Sequence, residues 1–307
     1  MPDSHIILSV SDLNQHHTCP TALYARYHTR RWRRPGPALT TGKTLHQLLE
    51  AKYAPGLLPA HLDSLLADPT LDPGARTLFA QIPADWTPPY AITAAEQPLF
   101  LELSPSFLPP SWSGPRVYLA GTPDALTERT TPAGPISGSG QYKSVALGRS
   151  PEALVDSIVY GAHELLYSLL RVANGIPATE ELHVLLFRKL TLAAQRDGTP
   201  AFLHHQRATP HLAQRDSLVR LLRRDTLPSI WAALHTLTRT LPDVRRDFGS
   251  CMGPFYNSPC PLYTACRSVD DRRLDELCGL LPEPAPCRYT GALEAQLAAG
   301  QAVPLLA

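Results

Sequence analysis

Between Val117 and Phe187 the sequence spells strand, strand, helix, strand, and this order constrains the fold more than any other feature. Val117 to Leu126 and Gln141 to Leu147 are short β-type segments separated by the turn-rich stretch Thr130 to Gly140. Pro151 to Asn174 carries apolar residues at helical spacing and is ended by Asn174-Gly175-Ile176-Pro177. Glu181 to Phe187 is a further apolar strand. The expectation is an α/β core.

Around that core the spacing predicts a helix over 11–33, with Ser11 or Asp12 as N-cap, and a second from Thr40 to Tyr53, closed by Pro55-Gly56. Residues 91–103 read as a strand and 104–115 as a Pro/Ser loop. Residues 208–241 read as helical with an interruption at Pro228. The tail over 248–267 is rich in cysteine and proline and lacks periodicity. With 307 residues, 44% of them hydrophobic, the chain can bury a sizeable core, while 32 prolines and 18 glycines imply long loops. The polar start and the absence of a long apolar run lead to a cytoplasmic expectation.

A formal net charge of +1 gives no global electrostatic argument for a nucleic-acid partner, so such a claim must rest on local patches. One is Arg30, Arg31, Trp32, Arg33 and Arg34, where guanidinium groups can pair with phosphates and the indole can stack on a base. A solvated basic face is the competing reading. Arg220, Arg223 and Arg224 form a second patch, on a helix, for which the solvated face is favoured.

The chemistry gathers in separated pieces. Gly121-Thr122-Pro123-Asp124 closes one β-segment and Gln141-Tyr142-Lys143 begins the next, which puts a carboxylate and a lysine on neighbouring strands. Upstream, Gly42, His46 and Glu50 fall at G-x-x-x-H-x-x-x-E spacing, so His46 and Glu50 share a helix face. Phosphodiester hydrolysis needs a divalent cation to polarise the phosphate and acidify water, and a positive group to steady the developing charge.

In that order the motifs resemble those of the PD-(D/E)XK nuclease superfamily, in its RecB-like and Cas4-like branch. The resemblance covers roughly residues 8–267. It implies a mixed central sheet flanked by helices, and Mg²⁺ or Mn²⁺ held by His46, Asp124, Gln141 and the Tyr142 carbonyl, with Lys143 positioning water. A following helix of the form Q-x-x-x-Y is matched by His163 and Tyr167, with His163 in the glutamine's place, and both would orient substrate. Glu96 corresponds weakly to a glutamate seen in such proteins. It also implies an N-terminal helical segment over 1–55, a nuclease core over 56–205 and a C-terminal helical region over 206–307.

Gln141 departs from the pattern, because the resemblance calls for a second acidic ligand there. An amide oxygen can coordinate but carries no charge, and hard cations favour carboxylate. Natural variation, an engineered Glu→Gln replacement and loss of activity are all open.

Cysteine placement adds a second metal question. Cys19-Pro20 stands near the N-terminus, and Cys251, Cys260 and Cys266 follow the core, with Cys278 and Cys287 outside the pattern. Cluster-bearing RecB-like nucleases have such a one-plus-three arrangement, which implies a structural [4Fe-4S] cluster. Four thiolates equally suit Zn²⁺.

The expectation is a DNA exonuclease acting on single strands or ends, in phage, repair, recombination or defence processing. A catalytically impaired DNA-binding or recombination accessory protein on the same fold is the alternative. A zinc-stabilised interaction module unrelated to DNA is a third reading.

Overall fold

The computed structural model describes residues 5–29, 37–54, 62–146, 162–189, 196, 198, 201–238 and 288–306. The strands are β1 (His5–Ser9), β2 (Ala91–Ala95), β3 (Leu99–Leu103), β4 (Arg116–Gly121), β5 (Ala125–Thr131), β6 (Gly134–Ala146), β7 (Glu180–Lys189), β8 (Phe202–Ala208) and β9 (Leu305–Leu306). The α-helices are α1 (Val10–Thr18), α2 (Pro20–Thr29), α3 (Pro37–Tyr53), α4 (Leu62–Ala67), α5 (Pro73–Phe79), α6 (Ala162–Ala173), α7 (Arg215–Leu221), α8 (Leu227–Thr238) and α9 (Arg288–Ala298). The architecture is mixed α/β, with two mixed sheets flanked by helices. Among the described residues no helix is long and apolar enough to cross a membrane.

The chain divides into two interleaved units. The first comprises Met1–Arg34, Phe100–Gly121 and Arg220–Ala307, and the second Pro35–Leu99 and Thr122–Val219.

In the first unit the sheet order is β1-β4-β3-β9, with β1 parallel to β4 and β3 parallel to β9. Ile7, Phe100, Tyr118 and Leu293 form its packed centre. The turn from β1 into α1 is closed by Asp12, whose Oδ2 accepts from the Ser9 backbone N–H at 2.8 Å and the Ser9 hydroxyl at 2.6 Å. The single helix expected over 11–33 is two helices, α1 and α2. Pro20 lacks an N–H to continue the first and opens the second instead, where its fixed φ is already helical.

The second unit holds a sheet in the order β2-β5-β6-β7-β8. Strands β6 and β7 run parallel and the other pairs antiparallel. The turn expected over Thr130 to Gly140 is mostly strand: pairing runs from Ala125 with Gly140 out to Thr131 with Gly134. Two glycines explain the misleading sequence. Gly134 makes the tight reversal at φ +117°, and a Cβ on Gly138 would stand 2.5 Å from the Thr127 hydroxyl.

Residues 91–103 are likewise two strands in different sheets. The break falls at Glu96-Gln97-Pro98, where Glu96 has φ +46°. Leu45, Leu48 and Leu49 of α3, with Ala75 and Leu78 of α5, pack on one face of the sheet against Tyr142, Leu182, Val184 and Leu186. Residues alternate in facing along a strand, so Ser139, Gln141 and Lys143 point to the other face. Helix α6 covers that face, with Arg171 reaching Ser139 and Glu181. Pro228 sits in the first turn of α8 and, lacking an N–H to donate back to Arg224, follows directly on a break in the α-helical pattern. The irregularity is a π-helical turn over Leu222–Thr226 just before it.

Candidate metal centre

All of the residues that converge here belong to the second unit. Asp124 immediately precedes β5 and is buried. Its Oδ2 accepts from the Tyr142 backbone N–H at 2.7 Å, locking the carboxylate across the β5–β6 boundary. Lys143, next on β6, brings its Nζ to 3.6 Å from the same oxygen and donates to Gln141 Oε1 at 3.1 Å. Lys143 and Gln141 are two apart on one strand, hence on one face.

Helix α3 supplies the imidazole. His46 Nε2 lies 2.9 Å from the Tyr142 carbonyl oxygen, which can only accept, so Nε2 carries a proton. That fixes the other nitrogen's role. Nδ1 faces Glu96 Oε1 at 3.4 Å and Asp124 Oδ1 at 3.8 Å. One ligand atom from each of His46, Glu96 and Asp124 lies within 4.8 Å of the others. Burial opposes charge on His46, but the Glu96 hydrogen bond and the Asp124 carboxylate outweigh it and raise its pKa. Three electron-rich atoms facing one another draw a cation, either a proton or a metal ion. One imidazole and two carboxylates suit a hard divalent ion such as Mg²⁺ or Mn²⁺.

Glu96 reaches this position through its backbone. Its φ of +46° is left-handed, a region that a residue with a Cβ enters at a cost of roughly 1–3 kcal/mol. Its N–H donates to the Asp124 carbonyl at 3.4 Å, so the bend is tied to the strand that presents Asp124. Glu96→Gly and Glu96→Ala both remove the carboxylate, but only glycine adopts this conformation freely. The glycine variant is therefore expected to be about 1 kcal/mol more stable than the alanine variant in chemical denaturation.

Glu50, one turn beyond His46, is buried, and its Oε1 has no hydrogen bond among the described residues. Burial first, then the negative charges of Glu96 and Asp124, push its pKa up to about 7, with His46 opposing. Gln141 is 2% exposed, and its Nε2 likewise lacks a partner among the described residues.

The structure thus brings together His46, Asp124, Gln141, Tyr142 and Lys143, and adds Glu96, whose left-handed turn no periodicity in the sequence signals. Tyr167 and His163 fall on α6; Tyr167 is half-buried. Cys19 is buried between α1 and α2 in the first unit. Cys251, Cys260 and Cys266, and Arg30, Arg31, Trp32, Arg33 and Arg34, lie outside the described residues. In the other arginine patch, Arg223 covers the Phe107 ring at 4.8 Å and Arg224 pairs with Asp225 at 2.6 Å.

Sequence reasoning missed a buried charge network beneath Gln141. Arg171 of α6 is fully buried and donates to Glu164 at 3.3 Å, Ser168 at 2.9 Å, Glu181 at 3.1 Å and Ser139. His183 Nε2 is 3.5 Å from Glu181 Oε2. Burial, reinforced by the Glu181 charge and opposed by Arg171, pushes the Glu164 carboxyl up to about 8. Burial also lowers His183, despite the pull of Glu164, and keeps its ring neutral. The only sequence signal was charge at 164, 171 and 181 inside otherwise apolar segments.

No protein-family model matches the chain, and no curated protein matches it in sequence.

Proposed function

We propose that the protein is a metal-dependent nuclease with a PD-(D/E)XK core, acting on DNA as a single-strand or end-directed exonuclease. The observation that carries this reading is the convergence of His46, Glu96 and Asp124 beside Lys143, with Lys143 Nζ 3.6 Å from Asp124. His46, Glu96 and Asp124 would hold Mg²⁺ or Mn²⁺, with Gln141 Oε1 and the Tyr142 carbonyl at the same site. The bound ion would supply Lewis acidity toward a phosphate and a lowered pKa for water.

The chain's own groups do the rest. Lys143 is steered by Gln141 and Asp124, and its ammonium can donate to a phosphate oxygen or to the attacking water. The Tyr142 N–H keeps one Asp124 oxygen fixed, leaving the other toward His46. Tyr167 and His163 would orient substrate, and Arg30–Arg34 would contact the phosphate backbone. Cys19 with Cys251, Cys260 and Cys266 would hold a structural [4Fe-4S] cluster, or Zn²⁺, which metal analysis and the visible spectrum of anaerobically prepared protein distinguish.

End-labelled single- and double-stranded DNA incubated with Mn²⁺ or Mg²⁺ tests the reading. Cleavage is expected in the parent and a loss of roughly 10²–10⁴-fold in Lys143→Ala, with the fragment pattern reporting the mode of digestion. The neutral Gln141 favours a second reading, a DNA-binding accessory protein that no longer cleaves. Binding without hydrolysis in both the parent and Gln141→Glu would select it.

A further inference from the structure

We propose that His183 is a positioning residue that orients the Gln141 side-chain amide, presenting its oxygen to Lys143 and the metal centre; this rests on the metal-centre reading above. Gln141 and His183 are register partners on the parallel strands β6 and β7. Neighbouring strands lie about 4.8 Å apart and partner side chains share a face, so the two are adjacent on the side covered by α6. Both are buried, at 2% and 0% exposure.

The hydrogen-bond inventory is complementary. Gln141 Oε1 is engaged by Lys143, which leaves the Nε2 protons as donors without an acceptor among the described residues. Both ring nitrogens of His183 also lack a hydrogen bond among those residues. A neutral imidazole offers one donor and one acceptor. Its Nε2 stands 3.5 Å from Glu181 Oε2, itself without a hydrogen bond among the described residues, so Nε2–H is directed at the carboxylate and Nδ1 is left to accept. Glu181 in turn is held by Arg171 at 3.1 Å.

A line of groups results, from Arg171 through Glu181, His183 and Gln141 to Lys143. An amide, unlike a carboxylate, has one end that repels a cation. A carboxylate at 141 would need no such orientation; a glutamine does. A half-turn of the amide about its last bond would put NH₂ against the Lys143 ammonium. A ring lone pair beside the amide opposes that half-turn, because the reversed amide would set its oxygen toward the Nδ1 lone pair and its NH₂ against the Lys143 ammonium.

The prediction concerns a coupling rather than a single loss. Mn²⁺ affinity, measured by calorimetry, is expected to fall about 10–100-fold in His183→Leu, the range typical of partners that orient a ligand, and to recover in His183→Gln, which restores an acceptor. In a Gln141→Glu background the same His183→Leu change is expected to have little effect. An equal loss in both backgrounds means that His183 is merely structural and overturns the proposal.

A metal-free measurement separates this idea from the nuclease reading. The Gln141 side-chain NH₂ pair, assigned in ¹⁵N spectra by its absence in Gln141→Glu, is expected to be protected from solvent exchange. The acceptor-nitrogen ¹⁵N resonance of His183 is expected to shift in Gln141→Glu, a variant that leaves His183 and its surroundings in place. No shift overturns the orientation, even if Mn²⁺ binds and DNA is cut. A shift in a protein that binds no Mn²⁺ would uphold the pair while removing the metal centre.

Discussion

Asp124→Asn is expected, on the proposed nuclease reading, to reduce Mn²⁺ affinity a hundredfold or more, on the order of the largest effects seen for orienting partners, and to remove DNA cleavage while leaving the fold intact. Asparagine is isosteric, and its Oδ1 can still accept from the Tyr142 N–H that now bonds the carboxylate at 2.7 Å. The Nδ2 group then takes the place of Asp124 Oδ1, which faces His46 Nδ1 at 3.8 Å. A donor replaces an acceptor there. The mutual repulsion of three electron-rich groups is relieved without a cation, so the metal-free unfolding midpoint should be unchanged or higher. Calorimetric titration with Mn²⁺ and a thermal melt of the same sample read the two effects together. Undiminished Mn²⁺ binding would remove Asp124 from the site.

Arg171→Met is expected to destabilise the protein by roughly 3–5 kcal/mol, because it strips the countercharge and the hydrogen-bond donors from the buried Glu164 and Glu181 side chains. Arg171 is fully buried and bonds both Glu164 and Glu181. Methionine fills much of the volume but offers no proton. Denaturant titration of the variant measures the loss.

The same network fixes the sign of a pH dependence. The Glu164 carboxyl rises from 4.5 to about 8 on folding through burial and the charge of Glu181, against the pull of Arg171 and His183. Between those pH values the unfolded chain has released a proton that the folded chain keeps. Stability from this group is therefore complete below about 4.5 and declines as pH rises toward 8, by at most about 1.4 kcal/mol per unit. Glu164→Gln should flatten that slope.

Much of the candidate site was legible because its residues lie in short stretches whose local order is also their spatial order. Gly42 to Glu50 is a helix in both readings, and Gln141-Tyr142-Lys143 is a strand in both. What the sequence concealed depends on contacts far along the chain. Thr130 to Gly140 looks like a turn because glycine and proline dominate it, yet close approach to Thr127 demands a glycine within the strand. Glu96 was only weakly suggested, since a left-handed residue leaves no periodic trace. The Arg171 network was invisible for a related reason. Charged side chains at helical spacing read as a wet face until a strand bearing Glu181 and His183 is laid against them.

The pairing of β9 with β3 bears on the order in which the molecule can be completed during synthesis. Every described strand of the β2-β5-β6-β7-β8 sheet has been made by Ala208, so the second unit, which closes at Val219, can finish folding while the remainder is still being translated. The other unit must wait. Its sheet includes β1 and also Leu305 and Leu306, which pair with Glu102 and Leu103 about two hundred residues earlier. A ribosome stalled near residue 250 would carry all the described strands of one sheet, while the other would still lack β9.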